Sequence, residues 1–321
     1  MGYVGLHTQQ VRNNFRSILL LCLFPCLVVA MTFLFCLLFV LLAVDVKVNI
    51  NVWEETLFMV RDAIPYVLGG VALWFLIAYF TNTSLIRSAT GARSLERKEN
   101  KRVYNLVENL CISQGMAMPK INLIEDESLN AYACGINNKT YTVALSSGII
   151  NQLNDEELEG VIAHELTHIR NRDVRLLIVS IVFTGIFAMI TQIIFRFLRY
   201  MPTQSRRSKG KGGNTVIFII LIALLVAAIG YFFSSLMRFA ISRNREYMAD
   251  AGAAQMTRQP QALASALRKI SQNPNIKAIS RNDIAQLFIE HPRKKGPFAS
   301  LSGLFATHPP IKKRIAVLEQ V

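Results

Sequence analysis

The sequence predicts a mainly α-helical integral membrane protein, in which four transmembrane helices accompany an α+β domain with a small β-hairpin or sheet. Three observations lead to this prediction. Apolar residues make up 52% of the 321 residues, the mean hydropathy is positive, and the apolar residues gather into four long runs separated by polar segments. A soluble globular chain carries fewer apolar residues, so the excess is expected to lie in lipid.

The N-terminal part, residues 1–80, is predicted to form a transmembrane hairpin. Residues 17–44 are a charge-free apolar run that is too long for a cleavable signal peptide, and residues 63–80 form a second run at the short end of what spans a bilayer. The loop between the runs is net acidic, whereas the segment after residue 80 is strongly basic. By the positive-inside rule the loop lies outside and the basic segment lies in the cytoplasm.

Residues 81–175 are predicted to form the first half of a cytoplasmic α+β domain. An amphipathic helix is expected near residues 103–114, and a strand follows at residues 121–125. Two alternating runs, residues 129–134 and 140–145, flank a turn that begins at a glycine. This pattern predicts a β-hairpin.

Residues 176–237 are predicted to form a second transmembrane hairpin, with spans at residues 176–198 and 215–237. The loop between these runs, residues 199–214, is basic and contains no acidic residue. A full double crossing would place that loop outside, against the positive-inside rule, so a pair of segments that dips into the membrane and returns stays an alternative. Residues 238–321 are expected to form the second half of the polar domain.

The motif HExxH lies within a predicted helix and is formed by His164, Glu165 and His168. Asn154 stands at the N-cap, and Glu157 three residues later completes a capping-box pattern. Residues four apart share one helix face, so both imidazoles can reach one metal ion while the glutamate points to its open side. The pattern predicts a catalytic zinc site in which Glu165 is the general base.

A third protein ligand is needed to complete such a site. The segment SRNREYMADAGA places Glu246 and Asp250 four residues apart on a predicted helix. Glu246 can bind zinc, and Asp250 can accept a hydrogen bond from a histidine ligand and fix its orientation. His291 and His308 are the alternative ligands, and a solvated carboxylate pair is the alternative role for Glu246 and Asp250.

The combination of HELTH, EYMAD and two apolar runs between them resembles the HtpX-type heat-shock membrane proteases, within the larger family that includes the CAAX prenyl proteases. The resemblance implies a gluzincin-like zincin domain with one Zn²⁺ per chain, bound by His164, His168 and Glu246, and with Glu165 as the base. It also implies a multi-pass protein of the cell inner membrane that cleaves misfolded or damaged membrane proteins in proteolytic quality control and stress response.

A further stretch, LNAYACG, resembles the PNAFATG substrate strand of this family. The resemblance implies that Asn130 binds substrate, with departures at Leu129, Tyr132 and Cys134. The pattern of residues by itself indicates only an ordinary β-hairpin.

The C-terminal stretch HPPIKKR resembles the HPPxxxR element of this family. The resemblance implies that His308 stabilises the oxyanion of the tetrahedral intermediate and that Arg314 supports it. From spacing alone, His308 is a residue that precedes a helix start at two prolines.

Composition limits the partners of the chain. The formal net charge is +14, but the basic residues stand beside apolar runs and no nucleic-acid-binding motif is recognisable, so the lipid bilayer and membrane-protein substrates are the expected partners. The five cysteines form no disulfide or zinc-site pattern, as expected for a reducing compartment. The alternatives for function are a processing peptidase like the CAAX prenyl proteases and a non-catalytic zinc-binding membrane scaffold or chaperone.

Overall fold

A computed structural model describes five stretches of the chain, residues 6–43, 51–200, 211–239, 244–272 and 309–320. The chain divides into two compact units. The polar unit comprises Met1–Ser17, Thr81–Ile178 and Phe239–Val321, and the apolar unit comprises Ile18–Phe80 and Val179–Arg238.

The described helices and strands are, in chain order, α1 (Leu6–Ala43), α2 (Val52–Thr90), β1 (Arg93–Ser94), α3 (Lys101–Ser113), β2 (Lys120–Ile124), β3 (Ala131–Cys134), β4 (Thr142–Ser146), α4 (Ser147–Gln152), α5 (Asp155–Arg170), α6 (Asp173–Tyr200), α7 (Lys211–Phe239), α8 (Asn244–Thr257), α9 (Pro260–Ile270) and α10 (Ile311–Leu318).

The apolar unit is built from long helices. Two of them are long and apolar enough to cross a membrane, over Asn14–Leu42 and Val52–Thr90. The described parts of α6 and α7 contain shorter apolar stretches, Gly185–Arg196 and Phe218–Phe233. The structure therefore supports two of the four predicted spans, and the second pair stays a prediction.

Helix α2 is much longer than the apolar run at residues 63–80 that predicts it. Glu54 and Glu55 lie in its first turn and Arg87 lies in its last turn. These charges interact favourably with the helix dipole at both ends, which favours helix formation well beyond the apolar run.

Aromatic side chains pack inside the apolar unit. The ring of Phe24 is fully buried, and it meets Phe75 edge-on at a centroid distance of 5.6 Å and Phe187 at 5.9 Å. The indole of Trp74 donates a hydrogen bond of 3.2 Å to the Val182 carbonyl. These contacts hold α1, α2 and α6 together.

The polar unit contains a four-stranded sheet in the order β1-β2-β4-β3. The predicted hairpin is confirmed, because β3 pairs antiparallel with β4. Strand β4 also pairs parallel with β2, with Ile121 opposite Val143, and β3 is one of the two edge strands of the described sheet, with β1 at the other edge. Gly135 at the hairpin turn has φ +117°, and a Cβ there would lie 2.5 Å from the Thr140 carbonyl oxygen, so only glycine fits.

Helix α5 is the centre of the polar unit. It packs against β3, α3, α8 and α9, and nearly all of its residues from Glu157 to Thr167 are buried. Because its side chains are enclosed on several faces, the positions of functional residues on α5 are fixed by packing.

Candidate metal centre

The start of α5 is fixed by the predicted capping box. The side chain of Asn154 accepts a hydrogen bond of 2.8 Å from the Glu157 amide, and Glu157 Oε2 accepts one of 3.1 Å from the Asn154 amide. Glu157 also accepts hydrogen bonds of 2.6 Å from Ser265 and from Lys269 on α9. The helix that carries HExxH is therefore held at its first turn both locally and by a neighbouring helix.

Three side chains converge from α5 and α8. His168 Nε2 lies 3.2 Å from His164 Nε2. Glu246 places Oε2 3.6 Å from His164 Nε2 and Oε1 3.7 Å from His168 Nε2. The structure thus brings together the three side chains that the sequence predicts as metal ligands, and all three are enclosed.

The second nitrogen of each imidazole is held by a carboxylate. His164 Nδ1 lies 3.0 Å from Asp250 Oδ1, as the sequence predicts. His168 Nδ1 lies 3.1 Å from Asp173 Oδ2. The sequence pattern does not predict this contact. The only sequence signal for Asp173 was a carboxylate five residues after the second histidine of the motif.

Arg314 on α10 reaches the same cluster. Its Nε and Nη2 donate hydrogen bonds of 2.8 Å and 2.7 Å to the two oxygens of Asp250, and its Nη1 lies 3.5 Å from Glu246 Oε2. Burial alone would raise the pKa of Asp250, but the charge of Arg314 and the hydrogen bonds from Arg314 and His164 outweigh it and lower the pKa to about 2. The buried guanidinium, 1% exposed, therefore favours the charged form of Asp250.

A close helix crossing places α8 against α5. A Cβ at Gly252 would lie 2.4 Å from Thr167 Cγ2, which is closer than side-chain atoms approach one another. Glycine at this position therefore lets the two helix backbones approach closely. Glu246 and Asp250, six and two residues before Gly252 on the same helix, are brought beside His164 and His168 by this approach.

Glu165 follows His164 in the chain and is 2% exposed. Burial raises the pKa of its carboxyl above the ordinary value, and the charges of His164 and His168 partly oppose that rise. A carboxylate with a raised pKa is a stronger proton acceptor, as a general base requires.

Cys134 on β3 is also buried, which raises the pKa of its thiol to about 12 and keeps it protonated.

The remaining predicted site residues are placed as follows. Asn130 is buried just before β3. Its backbone N–H donates a hydrogen bond of 3.1 Å to Ser146 Oγ, and its side-chain Oδ1 accepts one of 3.0 Å from the backbone N–H of Ala131. Arg314 contacts Asp250 as described. His308 and the alternative ligand His291 lie outside the described residues.

The donor set fits a zinc ion. Two histidine nitrogens and one carboxylate oxygen are ligand types of catalytic zinc sites, and Zn–N bonds of about 2.1 Å in a tetrahedron separate neighbouring ligand atoms by about 3.4 Å. The Nε2–Nε2 distance of 3.2 Å and the two nitrogen–oxygen distances of 3.6 Å and 3.7 Å lie close to that value.

Comparison with known proteins also indicates a peptidase. Residues 97–321 match the family model of peptidase family M48. A "Protease HtpX homolog" of Bacteroides fragilis is 65% identical over the full length of both chains. Another of that name, from Dictyoglomus turgidum, is 39% identical over 78% of this chain and 82% of its own length. The crystal structure of S. mikatae Ste24p covers 97% of this chain and 66% of its own chain, with a TM-score of 0.44 and 21% identity.

Proposed function

The chain belongs to peptidase family M48 and is a membrane-associated metalloprotease; on that premise we propose that it is a zinc-dependent endopeptidase that cleaves misfolded or damaged membrane proteins. The observation that carries the proposal is the convergence of His164, His168 and Glu246 in one buried cluster, with Glu165 next to the first ligand. Such a cluster leaves a fourth ligand position for water, which a catalytic zinc site requires.

In this proposal His164, His168 and Glu246 hold the ion. Asp250 accepts a hydrogen bond from Nδ1 of His164, so that Nε2 is the atom that would bind the ion. Arg314 offsets the negative charge of Asp250 and Glu246, which would otherwise repel each other in a buried site.

A zinc ion bound there supplies a Lewis acid that polarises the peptide carbonyl and lowers the pKa of water. Glu165 accepts the proton of the attacking water and then delivers it to the amide nitrogen that leaves. Its raised pKa suits both steps, because a carboxyl that is too acidic would accept the first proton poorly.

We propose that β3 binds the substrate in extended form. It is one of the two edge strands of the described sheet, and it contacts α5, the helix that carries HExxH. A substrate strand that pairs with β3 would be bound mainly through its backbone, so cleavage would depend weakly on side chains. Asn130, just before β3, is the residue proposed to contact the substrate.

His308 is proposed to stabilise the oxyanion. It precedes Arg314 by six residues, and Arg314 reaches the ligand cluster directly. The chain therefore returns to the metal centre shortly after His308, which supports a position for this histidine beside the reacting carbonyl.

The proposed topology has four transmembrane spans in the cell inner membrane, with both termini and the metal centre in the cytoplasm. His164 and Glu246 meet in one unit, so the helices α6 and α7 between them must return the chain to the side from which it left. The basic segment after α2 supports the cytoplasmic side.

Cysteine labelling tests this topology. Single cysteines at Ser208 and Ser302, in a background free of other cysteines, are treated with an impermeant maleimide in intact cells and after lysis. We expect Ser208→Cys to react in intact cells and Ser302→Cys to react only after lysis. Reaction of Ser208→Cys only after lysis would contradict the double crossing, and reaction of Ser302→Cys in intact cells would contradict the cytoplasmic placement.

The two alternatives are less well supported. A non-catalytic scaffold is set aside because the chain is a metalloprotease by family. A processing peptidase like the CAAX prenyl proteases is disfavoured because the full-length relative at 65% identity is a protease of the HtpX type.

The test of the proposed function is hydrolysis of unfolded casein by the purified protein in detergent with zinc. We expect cleavage by the natural protein, and none by Glu165→Gln, which should still bind one zinc because it removes the base and no ligand. Near-normal turnover by the Glu165→Gln variant would overturn the mechanism.

A further inference from the structure

Asp173 is the first residue of α6 and is 1% exposed. The chain ends α5 at Arg170 and makes a short turn in which Arg172 has φ +60°, a left-handed conformation that residues with a side chain rarely adopt. The turn is closed by a hydrogen bond of 3.0 Å from the Arg172 amide to the Ile169 carbonyl. This turn brings the carboxylate of Asp173 back to the last part of α5.

The carboxylate meets the imidazole of His168 at Nδ1, with Oδ2 3.1 Å away. On the other histidine, Asp250 Oδ1 lies 3.0 Å from Nδ1 of His164. Each ring therefore has one nitrogen facing a carboxylate and the other, Nε2, facing Glu246. The two carboxylates come from different helices and contact different histidines. Neither can therefore substitute for the other.

We propose that Asp173 is a positioning residue of the metal centre, which holds the Nδ1 proton of His168 and thereby presents Nε2 to the ion. A carboxylate that accepts from a histidine ligand fixes the tautomer and the ring angle and increases the basicity of the ligand nitrogen. The proposal rests on the proposed ligand set. It makes the beginning of α6, the helix that leads out of the polar unit, a part of the metal centre.

A simpler role for Asp173 is stabilisation of the α6 N-terminus, since an acidic first residue favours a helix dipole. Arg16 also interacts electrostatically with Asp173. Neither role requires contact with His168, and neither predicts a change at the metal. Asp155 provides a matched control because it is the first residue of α5, pairs with Arg102 on the surface, and has no described contact with the ligands.

The experiment uses the full-length protein in detergent and measures the zinc dissociation constant by competition with a chelator, together with the visible spectrum of the cobalt(II)-substituted protein. Asp173→Ser retains a favourable residue for a helix start but is too short to reach His168. We expect it to bind zinc roughly 10 to 100-fold more weakly, the usual loss when such a partner is removed. Asp173→Asn keeps a hydrogen-bond acceptor without the charge, so we expect an intermediate loss. Asp155→Ser should bind zinc as the natural protein does.

Wild-type zinc affinity and an unchanged cobalt spectrum in both Asp173 variants would overturn the proposal. If Asp173→Ser does not fold, Asp173→Asn decides in the same way. An equal loss of affinity in Asp155→Ser would also overturn it, because the effect would then belong to helix stability. Failure of the proposed ligand set gives a different result: the natural protein would bind less than one zinc, or Glu246→Ala would bind as tightly as the natural protein.

Discussion

Gly252→Ala is the substitution that tests how the two halves of the metal centre are joined. The added Cβ would lie 2.4 Å from Thr167 Cγ2 and 2.9 Å from Thr167 Oγ1, whereas ordinary contacts begin near 3.4 Å. The helices must therefore separate by about 1 Å, or Thr167 must move within a closed packing arrangement. Because Thr167 lies on α5 between the two histidine ligands, separation moves them away from Glu246.

The size of the effect follows from two opposing terms. Overpacking in a closed core costs about 1–3 kcal/mol, and the 2.4 Å distance indicates the upper part of that range. Alanine in place of glycine within a helix stabilises by about 0.5–1 kcal/mol. The net destabilisation is about 2 kcal/mol, which lowers Tm by roughly 4–8 °C in a domain of about 150–250 residues.

The assay is thermal unfolding in detergent together with zinc affinity, for Gly252→Ala, Thr167→Ala and the double variant. Thr167→Ala removes both atoms that the new Cβ would strike and leaves the Thr167 Cβ at 3.3 Å. The double variant should therefore recover most of the stability lost in Gly252→Ala, with a coupling energy of about 1–2 kcal/mol. Gly160→Ala is a graded control, because its closest contact, with Leu263, is 3.2 Å. Additive effects at positions 252 and 167 would refute the close crossing.

Three further predictions concern single side chains. Glu246→Ala should reduce the zinc content well below one per chain and abolish cleavage, and full zinc content by metal analysis would contradict its role as a ligand. Arg314→Leu removes the guanidinium that pairs with Asp250 and leaves Glu246 paired with Arg245, so it should destabilise the protein by about 3–5 kcal/mol in thermal unfolding. Lys312→Leu on the exposed face of the same helix should have little effect, and equal losses would contradict the buried ion pair. Tyr132→Phe removes a buried hydrogen bond of 2.9 Å to Thr90 and should cost about 1 kcal/mol. The loss should be non-additive with Thr90→Val, and additive losses would show that the two hydroxyls do not interact.

Local signals explain what the sequence predicts well. The capping box at Asn154 and Glu157 and the histidine spacing on α5 act within one or two turns of helix, so the chain itself defines them. The glycine at 135 marks the hairpin because its backbone conformation excludes other residues. The approach of Glu246 and Asp250 to the two histidines is also predictable, since residues four apart share one helix face.

Long-range pairings explain what the sequence does not predict. Strands β2 and β4 pair in parallel and are neighbours in the sheet, although β3 lies between them in the sequence. The ion pair of Arg314 with Asp250 joins residues 64 apart. The contact of Asp173 with His168 is not predictable from the sequence because it depends on the left-handed turn at Arg172, a conformation that arginine does not favour. No periodic pattern marks such contacts, because tertiary packing decides them.

The order of these residues along the chain has a consequence for biosynthesis. His164 and His168 are synthesised about halfway along the chain, Glu246 follows only after α6 and α7 have been made, and Arg314 comes later still. A chain that is still being translated therefore lacks the third ligand and the arginine that balances its charge. The three ligand-cluster side chains and their arginine can therefore come together only when nearly the whole of the described chain has been synthesised.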